Sequence, residues 1–158
     1  MALEEVARRA GVGIGTLYRH FPTRAALLAG VYGREVDQLA ATATTLLTEK
    51  PPAAALEAWL HLLVDYLATK RVVVPALRAE SEEGERFYES ARRPIREALH
   101  RLAAAAAGSG EIRADVDADD IFRMVVGFSH GYEQPGWQAS ARRLIGILMA
   151  GLRAPPVP

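Results

Sequence analysis

The chain of 158 residues is long enough for one large domain or two small ones. Half of its residues are hydrophobic, which is enough to build a core and is not typical of a disordered chain. The absence of cysteine excludes disulfide bonds and thiolate metal sites.

The net charge of zero conceals an uneven distribution. Residues 1–34 contain five arginines against Glu4 and Glu5, so the rest of the chain is acidic. A basic end on an acidic body suggests a polyanionic partner for that end. Apolar stretches are interrupted well before about 18 residues, and no basic-then-apolar leader opens the sequence. We therefore expect no membrane span and a cytoplasmic protein.

The first elements in chain order are short helices. Helix formers dominate throughout and no alternating pattern predicts a strand, so the expected fold is all-α. A helix over 3–10 should end at Gly11, which can adopt a positive φ, and a second should cover 14–20. Thr23 can cap a third helix that extends to about residue 48.

Longer helices follow. Apolar residues between Leu56 and Leu67 recur every three or four positions and predict an amphipathic helix. Pro75 and Gly84 should bracket a short connection, and Pro94 should kink or break the next helix, over 85–107. A loop then leads to a helix capped by Asp117 or Asp119, and a last helix covers the region of Trp137 to Leu152.

The first two helices have the size of a helix-turn-helix, whose second helix enters the major groove of DNA by its N-terminal end. Small residues there would allow close approach, and several side chains could donate to phosphate oxygens. Arg19 could reach a base edge, while Leu17 and Phe21 hold the helices together. The candidate DNA-binding residues are Gly13, Ile14, Gly15, Thr16, Tyr18, Arg19, His20 and Arg24. The alternative is an ordinary helical hairpin whose polar face is merely solvated.

The stretch "LEEVARRAGVGIGTLYRHFPTRAALLAGV" resembles the DNA-binding signature of the TetR/AcrR family of bacterial transcriptional regulators. The resemblance implies a helix-turn-helix over 1–34 and a helical ligand-binding, dimer-forming domain over 35–158. It implies that Thr16, Tyr18 and His20 contact phosphates and that Arg19 lies near the bases. Gly13, Ile14 and Gly15 would also lie near the bases.

One departure from the family pattern concerns the start of the chain. Family members usually carry a further helix before this point, and Ala2 stands where a Thr or Ser cap is usual. We expect either that the start was assigned too late or that the protein is a truncated relative. If the truncation is real, DNA binding should be weak, and the alternative function is a helical small-molecule-binding dimer that no longer binds DNA.

If the resemblance holds, the second half should contain an effector pocket between helices, lined by apolar side chains with few polar anchors. The candidates are Trp59, Leu63, Tyr66, Phe87, Tyr88, Ile95, Met124 and Phe128, with His61, Tyr66 and Arg92 as polar anchors. The alternative is that each is a core residue, since apolar stripes at helical spacing usually indicate packing.

The last two helices are predicted to form the interface of a homodimer. Gly127 and Gly131 are four residues apart, and such spacing allows close helix approach. With Leu144 and Leu148 they would contribute to a four-helix bundle between two subunits. The alternative is packing within one chain. A dimer would suit a palindromic operator in double-stranded DNA, because two half-sites need two DNA-binding units.

No catalytic or cofactor site is predicted. The stretch "DVDADD" lacks the glycine and glutamate of a calcium loop and is better explained by helix capping. The histidines offer no metal set, and neither a phosphate loop nor a catalytic cluster occurs. The resemblance implies a ligand-responsive DNA-binding transcriptional regulator, a repressor rather than an activator. We expect no cofactor, metal or enzyme activity.

Overall fold

The computed structural model describes residues 3–80, 82–128 and 135–153. Within the described helices, the side chains left undescribed are those of 71–73, 76–80, 82–85, 87–89 and 91. The described residues form seven helices and no strand, which confirms the all-α expectation. The helices are α1 (Leu3–Ala10), α2 (Ile14–His20), α3 (Arg24–Glu49), α4 (Pro52–Glu80), α5 (Glu82–Gly108), α6 (Ala118–Phe128) and α7 (Trp137–Leu152).

The body of the protein is organised around α4, which contacts α3, α5, α6 and α7. Its leucines at 56, 60, 63 and 67 are almost wholly buried and recur every three or four residues, so one side of α4 faces the core along about three turns. The indole N–H of Trp59 donates a hydrogen bond to the carbonyl oxygen of Leu39, at 2.8 Å. This bond joins α4 to α3 inside the core.

The two prolines inside helices do not break them, and a kink at Pro94 stays a prediction. Both α4 and α5 continue as helices through Pro75 and Pro94. The predicted connection between Pro75 and Gly84 is therefore wrong wherever the backbone is described. An interior proline costs about 3 kcal/mol in a helix, but tertiary packing can offset that cost when neighbouring turns are buried, as Val74 and Ile95 are.

Helix α3 joins the N-terminal helices to the body. Its N-terminus is capped by Thr23, whose hydroxyl oxygen accepts a hydrogen bond from the backbone N–H of Ala26 at 3.0 Å, as the sequence predicts. The predicted boundary between residues 34 and 35 falls inside α3, so the two predicted regions share one continuous helix. The division into domains stays a prediction.

The far end of the body is closed by the segment between α5 and α6. Glu111 accepts a hydrogen bond from the backbone N–H of Ala53, at 3.1 Å, near the start of α4. The backbone N–H of Arg113 donates to the carbonyl oxygen of Leu152 at 2.8 Å, at the end of α7. Three helix ends are thus held together at the opposite end of α3 from the N-terminal helices.

Candidate functional site

The turn between α1 and α2 depends on a glycine. Gly11 has a φ of 68°, a conformation that side chains with a Cβ rarely adopt. The turn is closed by the backbone N–H of Val12, which donates to the carbonyl oxygen of Ala7 at 3.1 Å. Gly13 then caps α2 with its carbonyl oxygen, which accepts from the N–H groups of Thr16 and Leu17. The two helices are therefore separated by three residues.

The interior of this unit is small. Ala7 and Leu17 are 2% and 7% exposed, and they bury the facing sides of α1 and α2. Leu3 and Val6 are half-buried. This packing leaves α2 with one face turned inward and the other turned to solvent.

The outward face of α2 contains the predicted DNA contacts. All eight of them are exposed: Gly13, Ile14, Gly15, Thr16, Tyr18, Arg19, His20 and Arg24. No atom lies within 4 Å of where a Cβ would stand on Gly15, so the backbone there is open to a close approach. The structure leaves all eight residues accessible, and their contacts with DNA stay a prediction.

The arginines of this unit differ in how far they are neutralised. Glu5 accepts hydrogen bonds from Arg8, at 2.7 and 2.8 Å, and from Arg9, at 2.7 Å. These two guanidinium groups lower the pKa of Glu5, Arg8 having the larger effect. Arg19 and Arg24 form no ion pair with any described residue, so their charge remains available to an anionic partner.

The residues predicted to line an effector pocket differ in burial. Trp59, Leu63 and Ile95 are at most 2% exposed and belong to the core, whereas Met124 is 45% exposed on α6. The remaining described candidates are Phe128, which packs against the core partly buried, and Tyr66, which lines a groove between α3 and α4 of about 240 Å³. The side chains of Phe87 and Tyr88 lie outside the described residues. The effector residues stay a prediction.

The residues predicted to form a dimer interface lie on α6 and α7. Gly127 is exposed, Leu144 is half-buried and Leu148 is 8% exposed; Gly131 lies outside the described residues. Ile147 on α7, which the sequence analysis did not single out, is 68% exposed. Together with Met124 it gives these helices outward apolar side chains.

Two aspartates at the start of α6 have structural roles. Asp117 Oδ1 accepts a hydrogen bond from the backbone N–H of Asp119 at 2.8 Å and caps the helix, as the sequence predicts. Asp119 accepts from Arg96 and lies 3.1 Å from His100 Nε2. Arg96 first and His100 second lower the pKa of Asp119. His100, Asp117 and Asp119 place one possible metal-ligating atom each within 4.8 Å of one another, but the guanidinium group of Arg96 already neutralises Asp119.

Sequence analysis missed a basic surface on α5. Arg92 alone was predicted as a polar anchor, whereas the structure places four arginines and a histidine along one groove of this helix: Arg92, Arg93, Arg96, His100 and Arg101. Counted from Arg92, the other four residues follow after one, four, eight and nine positions. This cluster of basic residues within about three turns is the signal that could have identified the surface from the sequence. Among the described residues, no helix has the length and apolar character needed to cross a membrane.

Family models match both ends of the chain. Residues 1–31 match the model described as "Bacterial regulatory proteins, tetR family". Residues 51–154 match the model described as "Transcriptional regulator SbtR-like, C-terminal domain". None of the curated proteins matches the chain.

Solved structures resemble the whole described fold. A TetR transcriptional regulator from Streptomyces coelicolor is 40% identical, with a TM-score of 0.84 over 97% of this chain and 87% of that chain. A TetR regulatory protein from Mycobacterium vanbaalenii is 33% identical, with a TM-score of 0.79 over 98% and 84% of the two chains. FadR from Bacillus subtilis, solved with stearoyl-CoA, is 17% identical with a TM-score of 0.68 over 97% and 89%, a likeness in fold alone.

Proposed function

The chain belongs to the TetR family of bacterial transcriptional regulators, and from that premise we propose that it is a homodimeric repressor that binds a palindromic operator. In this proposal α2 enters the major groove, with Thr16, Tyr18 and His20 donating to phosphates and Arg19 reaching a base edge. Arg24 contacts the backbone from the start of α3. A small-molecule effector bound among the helices of the body changes the separation of the two DNA-binding units.

One observation carries the proposal: the inward residue Leu17 is buried while the polar residues on either side of it along α2 are all exposed. A helix that served only to pack would not need this concentration of hydrogen-bond donors beside open glycine backbone. The two uncompensated arginines at 19 and 24 add the positive charge that a phosphate backbone attracts.

The homodimer is supported by the outward apolar side chains of α6 and α7. A duplex with two half-sites about one helical turn apart requires two DNA-binding units on the same side of the assembly. An effector acts on such an assembly only if it binds the two arrangements of the units with different affinity.

The test begins by selecting duplexes from a random pool with the full chain and measuring binding to the selected sequence by fluorescence anisotropy. We expect Tyr18→Phe to weaken binding to all sequences by a similar factor, because it removes a phosphate contact. Arg19→Ala should instead reduce the difference in affinity between the selected duplex and one mutated at the contacted base, by about 1–3 kcal/mol.

The opposite pattern for these two variants would refute the assigned roles. Glu57→Gln, on α4, is the control and should leave DNA binding unchanged. Failure of the chain to enrich any duplex would favour the alternative function, a helical dimer that binds small molecules without binding DNA.

A further inference from the structure

The basic surface of α5 lines a groove of about 650 Å³, whose walls are Arg92, Arg93, Arg96, Glu97, His100 and Arg101. A volume of this size is within the usual range for small-molecule sites. Four guanidinium groups and an imidazole line this groove with the carboxylate of Glu97, and a second carboxylate, that of Asp119, pairs with Arg96 and His100. The guanidinium groups still outnumber the carboxylates, so the chemistry of the groove favours an anion.

Helix geometry arranges these side chains in two parallel rows. Arg92, Arg96 and His100 form one row, and Arg93, Glu97 and Arg101 form the other, since residues four apart lie one above the other. Each step of four residues rises about 6 Å along the helix. A ligand with one anionic group can contact the arginines of a single turn. A ligand with several linked anionic groups can contact the arginines of successive turns.

The ion pairs within the surface leave positive charge unused. Arg93 Nε lies 3.6 Å from Glu97 Oε1, and the two side chains are 82% and 58% exposed, so solvent screens this pair strongly. Arg101 forms no ion pair with any described residue. Arg96 is held in place from α6 by Asp119, which orients its guanidinium group beside the groove.

A second groove, of about 280 Å³, adjoins the first because Arg92 and Arg96 line both. Its opposite wall is on α6, where Phe122 and Val126 provide apolar surface. Asp119, Arg123 and Gly127 of α6 also line this groove. The combined site therefore offers cationic side chains on α5, the ion pair between Arg96 and Asp119, and an aromatic ring on α6.

We propose that the grooves of α5 and α6 bind a small phosphate-bearing molecule, with its phosphates on Arg93 and Arg101, beside the Arg96–Asp119 pair, and its apolar part against Phe122. Guanidinium groups suit this ligand because their planar array of N–H donors matches phosphate oxygens two at a time. The proposal concerns binding alone and does not depend on operator recognition.

The experiment is isothermal titration of the full chain, without DNA, using tripolyphosphate, ATP and citrate as separate probes. We expect tripolyphosphate and ATP to bind, and citrate to bind at least tenfold more weakly. The double variant Arg93→Gln with Arg101→Gln should weaken both phosphate ligands at least tenfold, because two charge-assisted contacts are lost. Arg113→Gln makes the same kind of charge change outside the grooves and should bind them as the wild type does.

The variant Phe122→Leu tests the contribution of the aromatic ring independently of the arginines. It should weaken ATP severalfold and leave tripolyphosphate unchanged, since only ATP carries a flat base. Absence of tripolyphosphate binding at millimolar concentration, or equal binding by the double variant, would overturn the proposal. Citrate binding as tightly as tripolyphosphate would overturn the phosphate class, and an equal effect of Phe122→Leu on both ligands would overturn the role of the ring.

Discussion

The ring of Phe21 lies so close to Gly30 that a Cβ added to this glycine would stand 2.7 Å from Phe21 Cε1. Phe21 is the C-cap of α2, and Gly30 is in the second turn of α3. Because α3 continues into the body, this contact helps to set the direction in which α2 presents its exposed face. The absence of a side chain at residue 30 is therefore tied to the candidate DNA-binding surface.

Gly30→Ala should test that contact. Alanine favours a helix over glycine by about 1 kcal/mol, but overpacking costs about 1–3 kcal/mol, so we expect a net loss of about 1 kcal/mol in the free energy of unfolding. Binding to a selected duplex should also weaken, since the ring and α2 must shift. Chemical denaturation and fluorescence anisotropy measure the two effects. Adding Phe21→Leu should recover part of the loss; a more stable Gly30→Ala variant with unchanged DNA binding would contradict the prediction.

The pair formed by Tyr32 and Tyr66 joins α3 to α4. Their hydroxyl groups hydrogen-bond to each other, their ring centroids are 5.9 Å apart, and both side chains are buried. We expect Tyr32→Phe or Tyr66→Phe to lower the free energy of unfolding by about 1 kcal/mol, the net value of one hydrogen bond. The double variant should lose less than the sum, because both changes remove the same bond.

The matched control for this pair is Tyr18→Phe, whose side chain is 43% exposed and should leave stability unchanged. Urea denaturation of these four variants and the wild type measures the differences. Strictly additive losses at the two buried positions would show that the hydroxyl groups do not act as a pair.

Ile147→Glu should test the proposed homodimer. The side chain is exposed in a single chain, so the free energy of unfolding of the monomer should change by no more than about 0.5 kcal/mol. Placing a carboxylate in an apolar interface should raise the dimer dissociation constant at least tenfold. Sedimentation velocity over a range of concentrations measures this constant. Ala104→Glu, at an exposed position on α5, is the control, and identical behaviour of the two variants would argue against α7 in the interface.

The ion pair between Arg96 and Asp119 predicts a pH dependence. The pKa of Asp119 is below its usual value of 3.8, mainly because of the hydrogen bonds from Arg96. A lowered folded-state pKa means that the pair stabilises the fold above the usual pKa and loses this contribution as the pH falls through the folded-state pKa. Carboxyl-carbon NMR should show Asp119 titrating below 3.8. Arg96→Gln should return the midpoint towards that value and Arg113→Gln should not; an unmoved midpoint in Arg96→Gln would exclude the assigned cause.

The bounds of the N-terminal helices were predictable from the sequence because local rules decide them. Gly11 permits the positive φ that ends α1, and Thr23 caps α3 through its own hydroxyl group. The inward position of Leu17 also follows from its place on a short helix. A solvent-exposed α2 is part of the same local pattern, which is why the family resemblance and the geometry agree there.

The prolines show where local rules fail. Pro75 predicts an end to its helix and Pro94 a kink or a break, yet α4 and α5 continue through both residues. The sequence shows where an interior proline destabilises a helix. The burial of the neighbouring turns, which offsets this loss of stability, depends on how the helices pack together. Trp59 is a similar case: its position on an apolar stripe was visible, while its bond to Leu39 required the partner helix.

The sequence by itself determined the helical class, the helix-turn-helix and the residues on its outward face, because spacing along a helix fixes which side chains share a side. The tertiary structure alone decided that Trp59, Leu63 and Ile95 belong to the core and that Phe21 rests on Gly30. It also decided that Asp119 on α6 orients Arg96 on α5. Those relationships join residues far apart in the chain, and only the packing of whole helices brings such residues into contact.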